Sequence, residues 1–154
     1  MLIGFVDDEG NGQSIRTAAT AANAGQHERG WIESGPHIGF TPWDDGPRRT
    51  LHLLNIDWKS DEPARSATLA LGEARFPVAV RRNQIESVHC AHGLAVIPGR
   101  STTEVLDIEP LAEGWALRVQ TTAPDTLRLY RATDGGTDRR NLPGPGIHSF
   151  LFPE

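Results

Sequence analysis

One cysteine in 154 residues, Cys90, excludes an internal disulfide. A lone thiol suits a reducing compartment without excluding secretion. No apolar run approaches the roughly 20 residues that span a bilayer as a helix, so a helical membrane anchor is not expected. Basic excess is missing as well. The formal net charge is −5, and the arginine pairs Arg48-Arg49, Arg81-Arg82 and Arg139-Arg140 are dispersed along the chain. A general affinity for nucleic-acid phosphates is therefore not expected. The nucleophile elbow Gly-x-Ser-x-Gly is absent, as are the phosphate loops GxGxxG and GxxxxGK. No segment is of low complexity, and no repeat of 20–50 residues recurs. The opening MLIGFVDDEG lacks the basic region and the apolar length of a signal peptide. The expectation is a cytoplasmic protein if the chain is complete, and an extracellular one if it is a fragment of a secreted enzyme.

What is present differs between the first third and the rest. Residues 2–6 form a short β-like run, followed by an acidic, turn-rich stretch, Asp7-Asp8-Glu9-Gly10-Asn11-Gly12. Ile15, Ala18, Ala19 and Ala22 recur at helical spacing, with Ser14 placed to cap the start and Gly25 to end it. Residues 30–47 hold four glycines, three prolines and two tryptophans. They read as an irregular segment lying across the main body, since a flexible linker has little use for tryptophan. Residues 1–48 are thus expected to pack as a strand, helix and irregular segment on a body formed by residues 49–154, the whole making one globular unit.

From residue 49 onward the pattern is that of strands. Residues 49–58, RTLHLLNIDW, read as a strand apolar on both faces and hence central. Ala67, Leu69 and Leu71 alternate with small polar positions, as do Phe76, Val78 and Val80. Further runs follow at 85–90, 94–97 and 103–108. Trp115, Leu117 and Val119 then alternate cleanly, and runs at 127–132 and 147–152 complete the series. Gly135 and Gly136 open a polar loop before the last run. About eight or nine strands at this spacing predict an all-β fold, an antiparallel β-sandwich of the immunoglobulin-like or jelly-roll kind with a short N-terminal helix. Leu53, Leu69, Val78, Val80, Val105, Trp115, Leu117, Val119, Leu127 and Leu129 are the expected core.

Residues that carry chemistry are fewer. The acidic stretch at 7–12 resembles the front of a calcium loop, but its twelfth position is Ala18 where a bidentate Glu is needed. It reads as an acidic turn ahead of a helix. His89, Cys90 and His92 lie within four residues, yet no second Cys pair exists to complete a zinc site, and alternation on a strand turns His89 away from Cys90. No metal site, no cofactor and no catalytic residue is assigned. Cys90 sits in a β-like run and reads as a buried, inert thiol. Trp115 and Trp58 read as core. Trp31 and Trp43 fall in the irregular segment, with Asp44 and Asp45 directly after Trp43. An aromatic platform beside carboxylates suits a sugar ring and its hydroxyls, or a docking surface for a neighbouring domain. Trp31, Trp43, Asp44 and Asp45 are therefore the candidate carbohydrate- or partner-binding residues.

The run Leu51-His52-Leu53-Leu54-Asn55-Ile56-Asp57 resembles a strand of the C-terminal β-sandwiches of multidomain glycoside hydrolases. Ala67-Thr68-Leu69-Ala70-Leu71, Phe76-Pro77-Val78-Ala79-Val80 and Trp115-Ala116-Leu117-Arg118-Val119-Gln120 are similar in style. The resemblance covers roughly residues 49–132. It implies an accessory domain that packs on a catalytic barrel, at times shapes the substrate cleft, and carries no catalytic acids. The first 45 residues would then be a connecting segment or the tail of a catalytic domain. The functional expectation is a non-catalytic module whose partner is an adjacent catalytic domain or a carbohydrate, with no nucleic acid and no membrane. The alternative is a small metal-dependent enzyme with a β-barrel core, in which at least three of the six histidines and an acid converge.

Overall fold

The computed structural model describes residues 28–33, 37–57 and 59–153. Among the described residues there are twelve strands and no helix. In chain order the strands are β1 (Trp31–Ile32), β2 (Ile38–Asp45), β3 (Arg48–Asn55), β4 (Ala64–Leu71), β5 (Ala74–Arg81) and β6 (Ile85–Ala91). They continue with β7 (Leu94–Pro98), β8 (Thr103–Leu111), β9 (Gly114–Thr121), β10 (Asp125–Arg131), β11 (Thr137–Leu142) and β12 (Gly146–Phe152). The strand read at 2–6, the acidic stretch at 7–12, the helix around Ile15 and the side chain of Trp58 lie outside the described residues.

Every strand pairing is antiparallel. Three sheets result, with the orders β1-β4-β5, β11-β10-β7-β6-β3-β2 and β12-β9-β8. Tight hairpins set the registers. Between β6 and β7 only His92 and Gly93 intervene, at φ 51° and 77°. Two left-handed residues in succession match the twist of the strands they join. At the β8–β9 hairpin, Gly114 has φ 122°, and a Cβ there would lie 1.8 Å from the Phe152 carbonyl oxygen. Only glycine fits between that turn and β12.

The six-stranded sheet is the middle layer, because alternation along its inner strands feeds two separate cores. On β7, Ala95 and Ile97 join Leu51, Leu53, Val88 and Cys90 against Leu69, Val78 and Val80 of the first sheet. Leu94 and Val96 point the other way and join Leu127, Leu129 and Leu142 against Val105, Trp115, Leu117 and Val119 of the third sheet. All ten residues expected in the core are buried. Trp115 is satisfied as well as packed, its indole Nε1–H donating to the His92 carbonyl at 2.9 Å.

The all-β, antiparallel sandwich expected from the sequence is present, with three sheets and two cores. Three local readings need correction. The strand buried on both faces is β7, all five of whose residues are buried. β3 buries Leu51 and Leu53 on one face and exposes His52 and Leu54 on the other. Within the stretch read as irregular, residues 38–45 form the edge strand β2. Within the polar loop after Gly136, residues 137–142 form the opposite edge strand, β11. Edge strands bury little, so no apolar alternation marks them.

Candidate functional site

The third sheet covers only part of the middle layer. Toward β2 and β3 the same face is open, and the pairing register lays out its rows. Trp43 stands opposite Thr50, and Thr50 opposite His89. Thr41, His52 and Ser87 form the next row, and Gly39, Leu54 and Ile85 the third. Residues directly opposite each other share a face, so these nine positions make one surface. Its apolar members are unusually exposed: Trp43 is 68 % accessible, Ile85 56 % and Leu54 44 %.

The polar members hold each other in place. Thr50 Oγ1 lies 3.1 Å from His89 Nδ1, and Ser87 Oγ 3.0 Å from His52 Nδ1. Each imidazole is thus fixed through one nitrogen, with His52 exposed and His89 partly buried. Burial, then the nearby charges of Arg48 and His52, push the His89 imidazolium down to about 4. His89 is therefore neutral at pH 7, offering one donor and one acceptor. The loop after β7 and the start of β8 wall this surface. Between them and the sheet lies a cleft of about 480 Å³, lined by His52, Ser87, His89, Thr102 and Glu104 among others. Arg48 pins that wall, donating from Nη1 to the Val105 carbonyl at 2.8 Å and the Leu106 carbonyl at 3.2 Å.

Strand alternation divides the four residues singled out from the sequence. Trp43 and Asp45 stand on the open face, with Asp45 at the hairpin end, 3.4 Å from Arg48 and its side chain 71 % accessible. Asp44 points to the opposite face. There it accepts from Arg49 Nε at 2.7 Å and Nη2 at 2.9 Å, and from Arg29 at 3.3 Å. The Arg49 hydrogen bonds hold its carboxyl below the usual carboxylate range. Trp31 lies on that side too, edge-on to Phe40 at 4.9 Å, with the buried Arg49 guanidinium 6.0 Å from its ring centre. Trp31 and Asp44 thus brace β1 and β2 against the first core. Adjacent carboxylates on a strand diverge, so Asp44 and Asp45 cannot share one scissile bond.

The remaining candidates for chemistry are also separated. Cys90 is buried in the first core on the face away from His89, and burial pushes its thiol up to about 12. Among the described residues no group of three or more His, Cys, Asp or Glu side chains converges as a metal site would require. The Ser87–His52 contact lies on a regular strand pair, without the sharp turn that exposes a serine nucleophile. Among the described residues no carboxylate hydrogen-bonds to His52 to orient it.

Of the residues on this face, sequence reasoning singled out Trp43 and Asp45, did not consider Thr50 and Ser87, and weighed His52 and His89 only as metal ligands. The available signal was the polar spacing Thr50-x-His52 and Ser87-x-His89, broken by apolar Leu51 and Val88. Placing those pairs side by side requires the β3–β6 pairing, which skips the whole β4–β5 hairpin. No family model matches the chain, and no curated protein or solved structure matches it either.

Proposed function

We propose that this chain is a non-catalytic β-sandwich binding module serving a carbohydrate-active enzyme, and that its open face, centred on Trp43, contacts a neutral glycan. The observation that carries the reading is the indole of Trp43, 68 % exposed on a flat sheet face and aligned with hydroxyl and imidazole groups. A large aromatic left in water is costly unless something covers it. The apolar face of a pyranose ring matches an indole. His52, Ser87 and Asp45, with the partly buried His89 held by the buried Thr50, supply the donors and acceptors that ring hydroxyls need. Arg48 on this face donates to backbone carbonyls and to Asp45 and is not held out toward a ligand, while Arg100 borders the cleft from the loop after β7. The diverging carboxylates support binding without turnover.

Affinity electrophoresis through gels containing a neutral plant or microbial polysaccharide tests this. Retardation of the native chain by at least one of a panel is expected, and its loss in Trp43→Ala. Because Trp43 is exposed, the substitution should leave stability within about 0.5 kcal/mol, so lost retardation reports binding and not unfolding. A Trp43→Ala chain retarded as strongly as the native one removes the proposal. So does glycosidase turnover by the isolated chain.

A further inference from the structure

On the far side of the middle sheet, β10 and β11 carry a second, differently charged surface. Arg128 and Arg139 stand directly opposite each other across the β10–β11 pair. Like charges in that position repel. Among the described residues neither has a carboxylate within ion-pair reach. Together they line two adjoining depressions of about 350 Å³ each. One of these shares Arg81, Gly99 and Thr126 with a larger depression of about 730 Å³ that adds Arg100, Ser101, Thr102 and Asn141. The three make one groove along β10. From Thr126 to Tyr130 it runs about 13 Å at the rise of an extended strand, longer than a single small anion requires.

The carboxylates near the groove are already engaged. Asp125 accepts from Thr103 Oγ1 at 2.6 Å and from the Arg100 amide at 3.1 Å. Glu86 is taken by Arg81 and Gln84. Asp138 pairs with Arg140 at 3.0 Å. Arg81 offsets Glu86 and Arg140 offsets Asp138, so Arg100, Arg128 and Arg139 against the single carboxylate Asp125 leave the groove net positive in a chain whose net charge is −5.

We propose that this groove binds an acidic oligosaccharide, a short glycan bearing uronate carboxylates. Two guanidinium groups on neighbouring strands suit bidentate recognition of carboxylates. Thr126, Asn141, Ser101 and Thr102 present hydroxyl and amide groups for the uncharged hydroxyls between them. The groove wall is the edge strand β5, and there Pro77 interrupts the backbone donors. An extended acidic peptide therefore cannot add along that wall as a strand. Arg128 and Arg139 lie on the face opposite Trp43; the loop residues Arg100, Ser101 and Thr102 border both this groove and the cleft beside His52, and the proposal rests on the arginine pair, not on the reading of Trp43.

Isothermal titration of the full chain at low salt tests this, with a galacturonate trisaccharide, its fully methyl-esterified form, a tetraglutamate peptide and inorganic sulfate as probes. Saturable binding of the uronate alone is expected. It should weaken roughly tenfold or more when Arg128→Ser and Arg139→Ser are combined, the loss of one or two charge-assisted bonds. Arg118→Ser, a change on the outer face of the third sheet, and Trp43→Ala should leave it unchanged. Since the facing arginines repel, the double variant should melt no earlier than the native chain. If it does melt early, Arg139→Ser alone, at an exposed edge position, carries the same test. The proposal fails if the uronate does not bind or if the ester, peptide or sulfate binds as tightly. It also fails if the arginine variants bind normally or if Arg118→Ser weakens binding equally.

Discussion

His89 shows how one side chain links the open face to the fold. Its pKa is near 6.5 when the chain is unfolded and about 4 in the folded protein. Between those values the unfolded chain takes up a proton that the folded chain refuses, so stability falls as pH drops. The contribution is complete above about pH 6.5 and is lost by about pH 4, amounting to on the order of 3 kcal/mol. His89→Gln, which keeps a polar partner for Thr50, should remove that part of the acid sensitivity. Urea midpoints measured from pH 7.5 to 4 should coincide at the upper end and diverge below pH 6.5, with the native chain falling faster. Parallel curves would show that His89 is not desolvated as described.

At the scale of strands, burial on one face or two decides both energetics and what the sequence reveals. Ile97 on β7 is fully buried in the first core, whereas Leu54 on β3 is 44 % exposed on the open face. Ile97→Ala should cost about 2–5 kcal/mol through lost contacts and a cavity. Leu54→Ala should stay within about 0.5 kcal/mol. Chemical denaturation distinguishes these, and a large cost at Leu54 would mean that the open face is covered by packing. The same contrast explains what was legible. Strands β4, β5 and β9 announce themselves through alternation at Leu69, Val78 and Trp115, because one face of each meets a core. β11, with the sequence TDRRNL, buries only Leu142 and offers no period to read. β2 begins with Ile38, Gly39 and Phe40 only half buried, and Pro42 sits in it as edge strands allow. β3 misled because Leu54 and Ile56 are apolar yet exposed, so composition suggested two buried faces where there is one. Trp43 and Asp45 were singled out from residue type alone. Their separation from Asp44 and Trp31 depends on β2 being a strand.

For the whole molecule, three sheets around two cores leave opposite ends of the middle layer uncovered on opposite faces. The first sheet leaves the arginine-lined surface of β10 and β11 open, and the third leaves the Trp43 surface of β2, β3 and β6 open. A sandwich that needed only stability would gain by covering Trp43, Leu54 and Ile85, whose exposure forgoes burial worth about 25 cal/mol per Å² of apolar area. Their placement beside oriented hydroxyl and imidazole groups is what supports the proposal of a ligand on that face. The most direct measurement is a two-dimensional amide and indole NMR titration of the isotope-labelled chain with neutral oligosaccharides built from glucose, xylose or mannose. Saturable shifts of the Trp43 indole and of the Thr50, His52, Ser87 and His89 amides are expected with at least one sugar, while the signals of the β10–β11 groove stay still. Saturable shifts confined to other parts of the surface, or an unmoved Trp43 indole across the whole panel, would contradict a glycan-binding role for this face.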